Sequence, residues 1–309
     1  MLDDENNLVN RSGGRVRHEL VEGRVAYYDF NSAHQRGTED PSPTADRVLV
    51  LGDSFTFGWG LPQEQTYVSL LQKRADTLPH QRRIQLLNAA VGGWGTADEV
   101  AYLRKYGSDI APKGVIVFVS FDDFRRALKS RSFRIDPATG DIVRVPVERT
   151  GSDAKKLIQD SAVYNWLLEH SHLVQLIRQA IVFKGGIGVV TTPDTRPASP
   201  DTDVAAQKEV ARALFSWIKR WSDEHDASLI VLTTGWYSID YPWLPDTMKD
   251  LGIDFVDLGD TVKPVMLRDG PETYFIRYDG HPNARGAQLI ADAAWQALEP
   301  WFKALGKTR

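Results

Sequence analysis

The sequence of 309 residues contains no cysteine. This absence excludes disulfides, thiolate metal sites and a cysteine nucleophile, and it fits both reducing and oxidising compartments. Long apolar runs are also missing, since no stretch approaches the roughly 20 residues that a membrane-spanning helix needs. The first ten residues are acidic and polar, unlike a signal peptide. The chain as given is therefore expected to be cytoplasmic, or secreted or periplasmic if an upstream signal has been removed.

A clustered excess of positive charge is the third feature that the sequence lacks. Its 37 lysine and arginine residues face 41 aspartates and glutamates, which gives a formal net charge of −4. Nucleic-acid binding needs a basic patch, so no nucleic-acid partner is expected. Short basic pairs such as Arg82-Arg83 and Arg125-Arg126 are typical of solvated helix faces. The sequence does not indicate an oligomeric state.

Five short apolar runs rich in β-branched residues predict strands, and helical patterns lie between them. The predicted strands are residues 47–51, 84–88, 115–120, 228–233 and 254–258. The clearest predicted helices are residues 205–224 and 284–305. Strands that alternate with helices form a parallel sheet through right-handed crossovers. The sequence therefore predicts an α/β fold of three flavodoxin-like layers around a five-stranded parallel sheet.

Three segments do not follow this alternation. Residues 1–45 are polar and are predicted to be an N-terminal extension of a domain that spans residues 46–309. Residues 131–145 predict a β-hairpin. Residues 154–184 predict a helix or a helix pair, followed by a linker rich in Gly, Thr and Pro at 185–203. We interpret residues from about 125 to 203 as an insertion after the third strand, which either caps a site or only completes the fold.

A serine follows the first predicted strand almost directly. The apolar residues 48–51 are followed by Gly52, Asp53 and Ser54. Ligand and catalytic groups of open α/β sheets lie at the carboxyl ends of strands. Ser54 is therefore a candidate nucleophile, which needs a neighbouring base and hydrogen-bond donors for an oxyanion.

Among the seven histidines, His281 has the most informative surroundings. It lies just before the last predicted helix, and Asp279 stands two residues earlier. Asp279 could accept the Nδ1–H of His281 and leave Nε2 free for Ser54. A plain turn followed by a helix start would explain the same residues, but the Gly-Asp-Ser turn favours catalysis. The other histidines have the surroundings of ordinary surface or core residues: His18, His34, His80, His170, His172 and His225.

Two further segments follow predicted strands. The loop at 88–96 contains Gly92, Gly93 and Gly95, and glycine lets backbone N–H groups approach a ligand, although a structural loop also needs glycine. Asp122 and Asp123 follow the third strand, where paired carboxylates can bind a metal ion. No other carboxylate or histidine joins them at a suitable spacing. We therefore predict neither a metal nor a cofactor.

Taken in order, these segments resemble the four signature blocks of the SGNH (GDSL-type) hydrolase superfamily, over roughly residues 45–300. Residues 52–54 match the nucleophile block, Gly93 matches the oxyanion glycine, and residues 279–281 match the last block. Residues 122–123 stand where the family has Asn-Asp. The sequence Phe-Thr-Phe-Gly-Trp-Gly after the serine, and the Asp-Gly-His-Pro-Asn form of the last block, resemble the bacterial group with a capping insertion.

The resemblance implies a serine esterase that works through a seryl acyl-enzyme. Ser54 would attack the ester carbonyl, and His281 would take its proton and return it to the leaving alcohol. Asp279 would orient and stabilise His281. The N–H groups of Ser54 and Gly93 and the side chain of Asp122 would bind the oxyanion.

The sequence departs from the family pattern at two positions. Asp122 replaces an asparagine, and an ionised carboxylate accepts hydrogen bonds but donates none. Either Asp122 keeps a proton, or the oxyanion relies on two backbone donors, or the alignment is shifted by one residue. Many members carry the acid three residues before the histidine, where this chain has Tyr278. Asp257 and Asp260 remain less favoured alternatives to Asp279.

Aromatic residues crowd the predicted rim of the site, and flat aromatic faces suit sugars and other ring-bearing groups. Many of them would also pack against the insertion. The predicted substrate is an O-acyl ester of a carbohydrate or small metabolite. The same triad would serve an acyltransferase, and Asp122 is compatible with a catalytically weak ligand-binding protein. The predicted substrate-binding residues are Trp59, Trp94, Phe121, Trp236 and Tyr237.

Overall fold

The computed structural model contains a central parallel sheet and two small antiparallel strand pairs. The strands are, in chain order, β1 (Gly14–Glu19), β2 (Val25–Phe30), β3 (Asp46–Leu51), β4 (Ile84–Asn88), β5 (Gly114–Val119), β6 (Phe133–Ile135), β7 (Ile142–Arg144), β8 (Ser228–Thr233) and β9 (Asp254–Val256). The central sheet has five parallel strands in the order β4-β3-β5-β8-β9. The five predicted strands are confirmed, with end positions that shift by at most two residues.

The structure describes residues 1–145 and 200–305, apart from residues 2, 4, 6, 21, 22, 80, 130–132, 137 and 235–240. The described residues up to 145 and from 205 onward belong to one compact unit. The predicted helical segment at 154–184 lies outside the described residues. The predicted linker at 185–203 is too long, because a helix already begins at Pro200, a residue type that suits a first helical position.

Helices cover both faces of the central sheet. Residues of β3 point alternately to the two faces: Leu49 packs in one apolar cluster with Val100 and Leu214, whereas Val50 packs in another with Leu71. Strands buried on both faces need continuous apolar runs, which is why these strands were recognisable in the sequence. The helices are α1 (Ser54–Phe57), α2 (Tyr67–Ala75), α3 (Thr96–Ile110), α4 (Asp123–Lys129), α5 (Pro200–Glu224), α6 (Leu244–Asp250), α7 (Gly259–Asp269) and α8 (Ala284–Leu305).

The strand order brings three predicted blocks to one edge of the sheet. Strand β3 lies between β4 and β5, with Val50 opposite Asn88 and Leu51 opposite Val117. The segments that follow these three strands therefore leave the sheet side by side. Ser54, the glycine loop and Asp122 lie in those segments.

The N-terminal residues contain a hairpin that we did not predict. Strands β1 and β2 pair antiparallel, and Ala26, Tyr28 and Phe30 of β2 are buried. They form a small apolar cluster with Phe57 and Ala90, which belong to segments that follow β3 and β4. The hairpin is thus in contact with the sheet edge that carries Ser54. The second hairpin, β6 and β7, confirms the one predicted at 131–145.

Among the helices that the structure describes, none is long and apolar enough to span a membrane.

Candidate active site

Ser54 is the first residue of the short helix α1, immediately beyond the end of β3. The preceding Asp53 caps this helix, because its carboxylate accepts the N–H of Phe55 at 2.9 Å. Gly52 has φ of +154°, and a Cβ there would lie 2.1 Å from Oγ1 of Thr56, so only glycine fits. The turn therefore depends on Gly52 and on the Asp53 cap, and it presents Ser54 at the strand end.

The structure brings Ser54, His281 and Asp279 together. Nε2 of His281 lies 2.8 Å from Oγ of Ser54. Nδ1 of the same ring contacts Oδ1 of Asp279, and the backbone N–H of His281 donates to that oxygen at 3.3 Å. The geometry is that of a nucleophile, a base and an orienting acid in hydrogen-bonded sequence.

A tight loop explains why the acid can stand two residues before the histidine. The N–H of Ile276 donates to the carbonyl of His281 at 2.8 Å, and the N–H groups of Asp279 and Gly280 donate back to the carbonyl of Ile276 at 3.1 and 3.3 Å. Tyr278, at the tip, has φ of +62°, which is unusual for a bulky residue. The loop thus places the Asp279 carboxylate beside the imidazole.

Asp279 is held in its ionised form. Burial raises its pKa, but hydrogen bonds from the side chain and backbone of His281, the charge of His281 and a hydrogen bond from Trp59 together bring the pKa below its ordinary value. An ionised carboxylate accepts Nδ1–H and favours the tautomer in which Nε2 can accept the serine proton.

Neither of the two alternative acids, Asp257 and Asp260, is placed to orient His281. Oδ1 of Asp257 accepts the hydroxyl of Thr233 at 2.6 Å and the N–H of Gly259 at 2.8 Å. Asp260 is exposed in the first turn of α7. Among the described residues, Asp279 is thus the carboxylate that contacts the ring of His281.

The glycine loop lies beside the serine. A Cβ at Gly92 would lie 3.8 Å from Cβ of Ser54 and 3.9 Å from the ring of Trp59. Gly93 is exposed, has φ of +88° and faces open space at its Cβ position. The N–H of Ser54, as the first of a helix, has no carbonyl partner within that helix. Ser54 and the glycine loop thus lie side by side at the end of the sheet.

Asp122 does not match the donor role that we inferred from the resemblance. Its Oδ1 accepts Nε of Arg125 at 2.6 Å, and its Oδ2 lies 3.3 Å from Nε of Arg126. Both carboxylate oxygens are thus directed at guanidinium groups, and a carboxylate in that setting is an acceptor. This arrangement does not support a hydrogen-bond donor role for Asp122.

Trp94 lies in the protein core and not at the rim of the site. Its side chain is fully buried, and its Nε1 donates to the carbonyl of Leu8 at 2.8 Å. Its ring lies 5.6 Å from that of Tyr102 on α3. The expectation that Trp94 contacts substrate is therefore not supported, because the ring turns inward from the glycine loop.

Trp59 and Phe121 are half-buried near the histidine. The Trp59 ring lies 5.8 Å from His281. Phe121 packs 6.5 Å from Phe55, whose ring lies 5.4 Å from His281. Two other predicted contacts, Trp236 and Tyr237, lie outside the described residues.

A histidine that its sequence surroundings did not single out, His18, packs against Trp59. His18 of β1 packs edge to face against Trp59, with ring centroids 4.4 Å apart. Burial lowers the pKa of His18, although the charges of Asp279 and Glu19 oppose this effect. No signal in the polar segment around His18 indicated this position.

Three buried carboxyl groups lie behind the nucleophile: Asp53, Glu99 and Asp123 are each 1% exposed. Asp53 accepts the hydroxyl of Ser120 at 2.9 Å and Nη1 of Arg126 at 3.0 Å. In the described part of the chain, Oε2 of Glu99 and Oδ1 of Asp123 have no hydrogen-bond partner. Burial raises the pKa of Glu99 well above its ordinary value, and the charges of Asp123 and Asp53 raise it further.

We expect Glu99→Gln to stabilise the protein at alkaline pH. Between the pKa of Glu99 in the unfolded chain and its higher pKa in the folded protein, the folded state keeps a proton that the unfolded chain releases. The free energy of unfolding therefore falls as the pH rises through this range. Glutamine is neutral throughout, so its advantage in Tm should grow by about 2–4 °C between about pH 5 and pH 9. Thermal unfolding measures this, with the exposed Glu224→Gln as control. Parallel curves for Glu99→Gln and wild type would contradict the prediction.

No set of three or more histidine, aspartate or glutamate side chains among the described residues could hold a metal ion.

Comparison with known proteins agrees with this geometry at the level of the family. Residues 50–289 match the model of the GDSL-like lipase/acylhydrolase family, and this region contains Ser54, Gly93, Asp279 and His281. A search of curated proteins finds no significant match.

Several solved structures are similar at low identity. The psychrotrophic esterase EstA from Pseudoalteromonas sp. is 16% identical over 84% of this chain and 99% of that chain, with a TM-score of 0.45. LAE5, an alpha/beta hydrolase from the metagenome of Lake Arreo, Spain, is 14% identical over 83% and 96%, with a TM-score of 0.48. A catalytic mutant of Axe2, an acetylxylan esterase from Geobacillus stearothermophilus, is 12% identical over 83% and 95%, with a TM-score of 0.45.

The family assignment rests on the family model, which spans most of the sequence. The chain belongs to the GDSL-like lipase/acylhydrolase family and is a carboxylic ester hydrolase.

Proposed function

We propose that the protein is a serine esterase that cleaves an O-acyl ester through a seryl acyl-enzyme. One observation carries the proposal: Oγ of Ser54 lies 2.8 Å from Nε2 of His281, while Asp279 contacts Nδ1 of the same ring. A serine hydroxyl is a weak nucleophile at neutral pH and becomes effective when a neighbouring base takes its proton.

In the first half-reaction, Oγ of Ser54 attacks the carbonyl carbon and its proton passes to Nε2 of His281. Asp279 stabilises the imidazolium that forms. The N–H groups of Ser54 and Gly93 hold the oxyanion. The tetrahedral species collapses as the C–O bond to the alcohol breaks, and His281 returns the proton to the departing oxygen.

In the second half-reaction, water takes the place of the alcohol. His281 accepts a proton from the water as its oxygen attacks the acyl carbon. The bond between the acyl carbon and Oγ of Ser54 then breaks, and the proton on His281 returns to that serine oxygen. The products are a carboxylic acid and the free enzyme.

For the substrate, we propose an O-acyl ester of a carbohydrate or small metabolite. Trp59 and Phe121 supply half-exposed aromatic surface close to His281, and Tyr278 is 69% exposed on the loop that carries the acid. Aromatic faces bind the apolar faces of sugar rings while leaving hydroxyl groups free to hydrogen-bond.

A fluorophosphonate probe tests the nucleophile. We expect one probe molecule per chain, attached to Ser54, with labelling lost in Ser54→Ala because phosphonylation needs the activated hydroxyl. Ser108→Ala is the matched control, since Ser108 also lies near a histidine nitrogen, Nε2 of His225 at 3.1 Å, and should label normally. Peptide mapping by mass spectrometry locates the adduct. A wild-type protein that is neither labelled nor active on p-nitrophenyl acetate would refute the proposal.

A further inference from the structure

A buried arginine contacts the loop that follows the candidate nucleophile. Arg36 is 3% exposed. Its guanidinium donates to the carbonyl oxygens of Phe57 at 2.5 Å, Gly58 at 2.6 Å and Leu61 at 2.5 Å. Its Nε donates to Oε1 of Gln63 at 3.1 Å. We call residues 57–61 the elbow loop; three of its carbonyl groups thus converge on one side chain.

The elbow loop supplies hydrogen-bond acceptors to the charge of Arg36, and the charges of Asp29 and Glu64 also favour the charged guanidinium. Arg36 forms no ion pair with any carboxylate in the described ranges. Burial lowers its pKa to about 10, so the guanidinium is charged at neutral pH. It lies over the rings of Tyr28, at 4.7 Å, and Phe57, at 4.6 Å. Because a buried charge is costly without hydrogen-bond partners, the carbonyl groups and the guanidinium stabilise one another.

The elbow loop contacts the candidate triad at two places, at Ser54 and at the pair formed by Asp279 and His281. The N–H groups of Gly58 and Trp59 donate to the carbonyl of Ser54 at 3.1 and 3.0 Å. The side chain of Trp59 lies close enough to Asp279 to lower the pKa of that carboxyl, and its ring packs 5.8 Å from that of His281. A shift of this loop would therefore move the nucleophile and the acid at the same time.

Arg36 lies outside the region that the family model matches, which begins at residue 50. Its backbone is anchored independently, because its N–H donates to the carbonyl of Asn88 at 2.8 Å at the end of β4. Tyr28 of the same N-terminal segment accepts the N–H of Gly60 at 3.0 Å. The side chains of Tyr28 and Arg36 thus both hydrogen-bond to the elbow loop.

We propose that Arg36 is a positioning residue: it holds the elbow loop so that Ser54 and Asp279 stay aligned with His281. This inference rests on the proposed esterase function and adds the N-terminal segment to the machinery of that site. Arginine suits the role because its planar fork reaches several carbonyl groups at once, whereas the single ammonium of lysine cannot.

The test compares kcat and KM for p-nitrophenyl acetate in Arg36→Ala and Arg36→Lys. We expect Arg36→Ala to lower kcat about 100-fold with KM within about threefold, since a misplacement of about 1 Å has that effect. Arg36→Lys keeps the charge but loses the fork, and we expect a loss in kcat of about 10-fold. Arg15→Ala, which removes an arginine with 64% side-chain exposure from the β1–β2 hairpin of the same N-terminal segment, should behave as wild type.

Chemical rescue separates positioning from fold stability. Guanidinium ions at tens of millimolar should restore part of kcat in Arg36→Ala and leave wild type and Arg15→Ala unchanged. A cavity of about 200 Å³, lined by Arg36, Gln63 and Ser69 among others, adjoins the position that Arg36→Ala vacates.

Wild-type kcat in a folded Arg36→Ala variant would overturn the inference, as would a change confined to KM or a loss that guanidinium does not restore. If Arg36→Ala fails to fold, Arg36→Lys decides: a loss of about 10-fold supports the inference, and kcat within twofold of wild type overturns it. Probe labelling of Ser54 in the wild-type protein reports on the esterase function separately, so the two proposals can fail independently.

Discussion

Replacing His281 by alanine is expected to lower kcat for ester hydrolysis by about 10⁶-fold, the loss that follows removal of the base from a serine triad. Nε2 of His281 is 2.8 Å from Oγ of Ser54. Without it, nothing takes the serine proton during attack or protonates the leaving alcohol. Initial rates on p-nitrophenyl acetate, with circular dichroism to verify folding, measure the effect. A loss below about 100-fold would contradict the proposed role.

His225 provides a matched control. Its Nε2 lies 3.1 Å from Oγ of Ser108, which closely resembles the contact between Ser54 and His281. Its Nδ1, however, faces the backbone carbonyl of Trp221 at 2.8 Å and not a carboxylate. His225→Ala should therefore retain full activity. An equal loss in both variants would show that activity responds to general damage and not to the base.

Replacing Asp279 by asparagine is expected to lower kcat about 10⁴-fold while KM changes little, because an amide in place of the acid favours the wrong tautomer of the histidine. Oδ1 of Asp279 contacts both Nδ1 and the backbone N–H of His281. The asparagine amide can donate to Nδ1, and Nε2 then carries the proton and cannot accept that of Ser54. Steady-state kinetics on a chromogenic ester measure kcat and KM separately.

Asp260→Asn is the control for this experiment. Asp260 is exposed in the first turn of α7 and was an alternative acid on sequence grounds. We expect it to have wild-type kinetics. If Asp279→Asn lost less than about 10-fold in kcat, or if Asp260→Asn lost as much, the assignment of the acid would be wrong.

The sheet and the two main helices were predictable because their signals are local. Strand β5, Gly114–Val119, is buried along its whole length, so its sequence is a continuous apolar run. Helix α8, Ala284–Leu305, repeats apolar residues at helical spacing and has the predicted ends. In both elements, the pattern of buried and exposed positions repeats over a few neighbouring residues, so a short stretch of sequence is enough to predict the element.

The hairpin of β1 and β2 was not predicted, although Ala26, Tyr28 and Phe30 alternate with more exposed residues. The pattern spans six residues within a polar segment, and its inward face is covered by Phe57 and Ala90 from elsewhere in the chain. The position of Trp94 was missed for a related reason. An aromatic residue in a glycine loop can turn outward or inward, and the core around Tyr102 decides the direction.

The sequence by itself determined the strand succession and the order in which the serine, the glycine loop and the acid–histidine pair follow the strands. Periodicity and turn chemistry act between near neighbours, which is why they can be read directly. Only the tertiary structure decided that His18 lies against Trp59 and that Arg36 donates hydrogen bonds to the elbow loop. These contacts join segments whose separation along the chain carries no local signal, and packing of the whole unit brings them together.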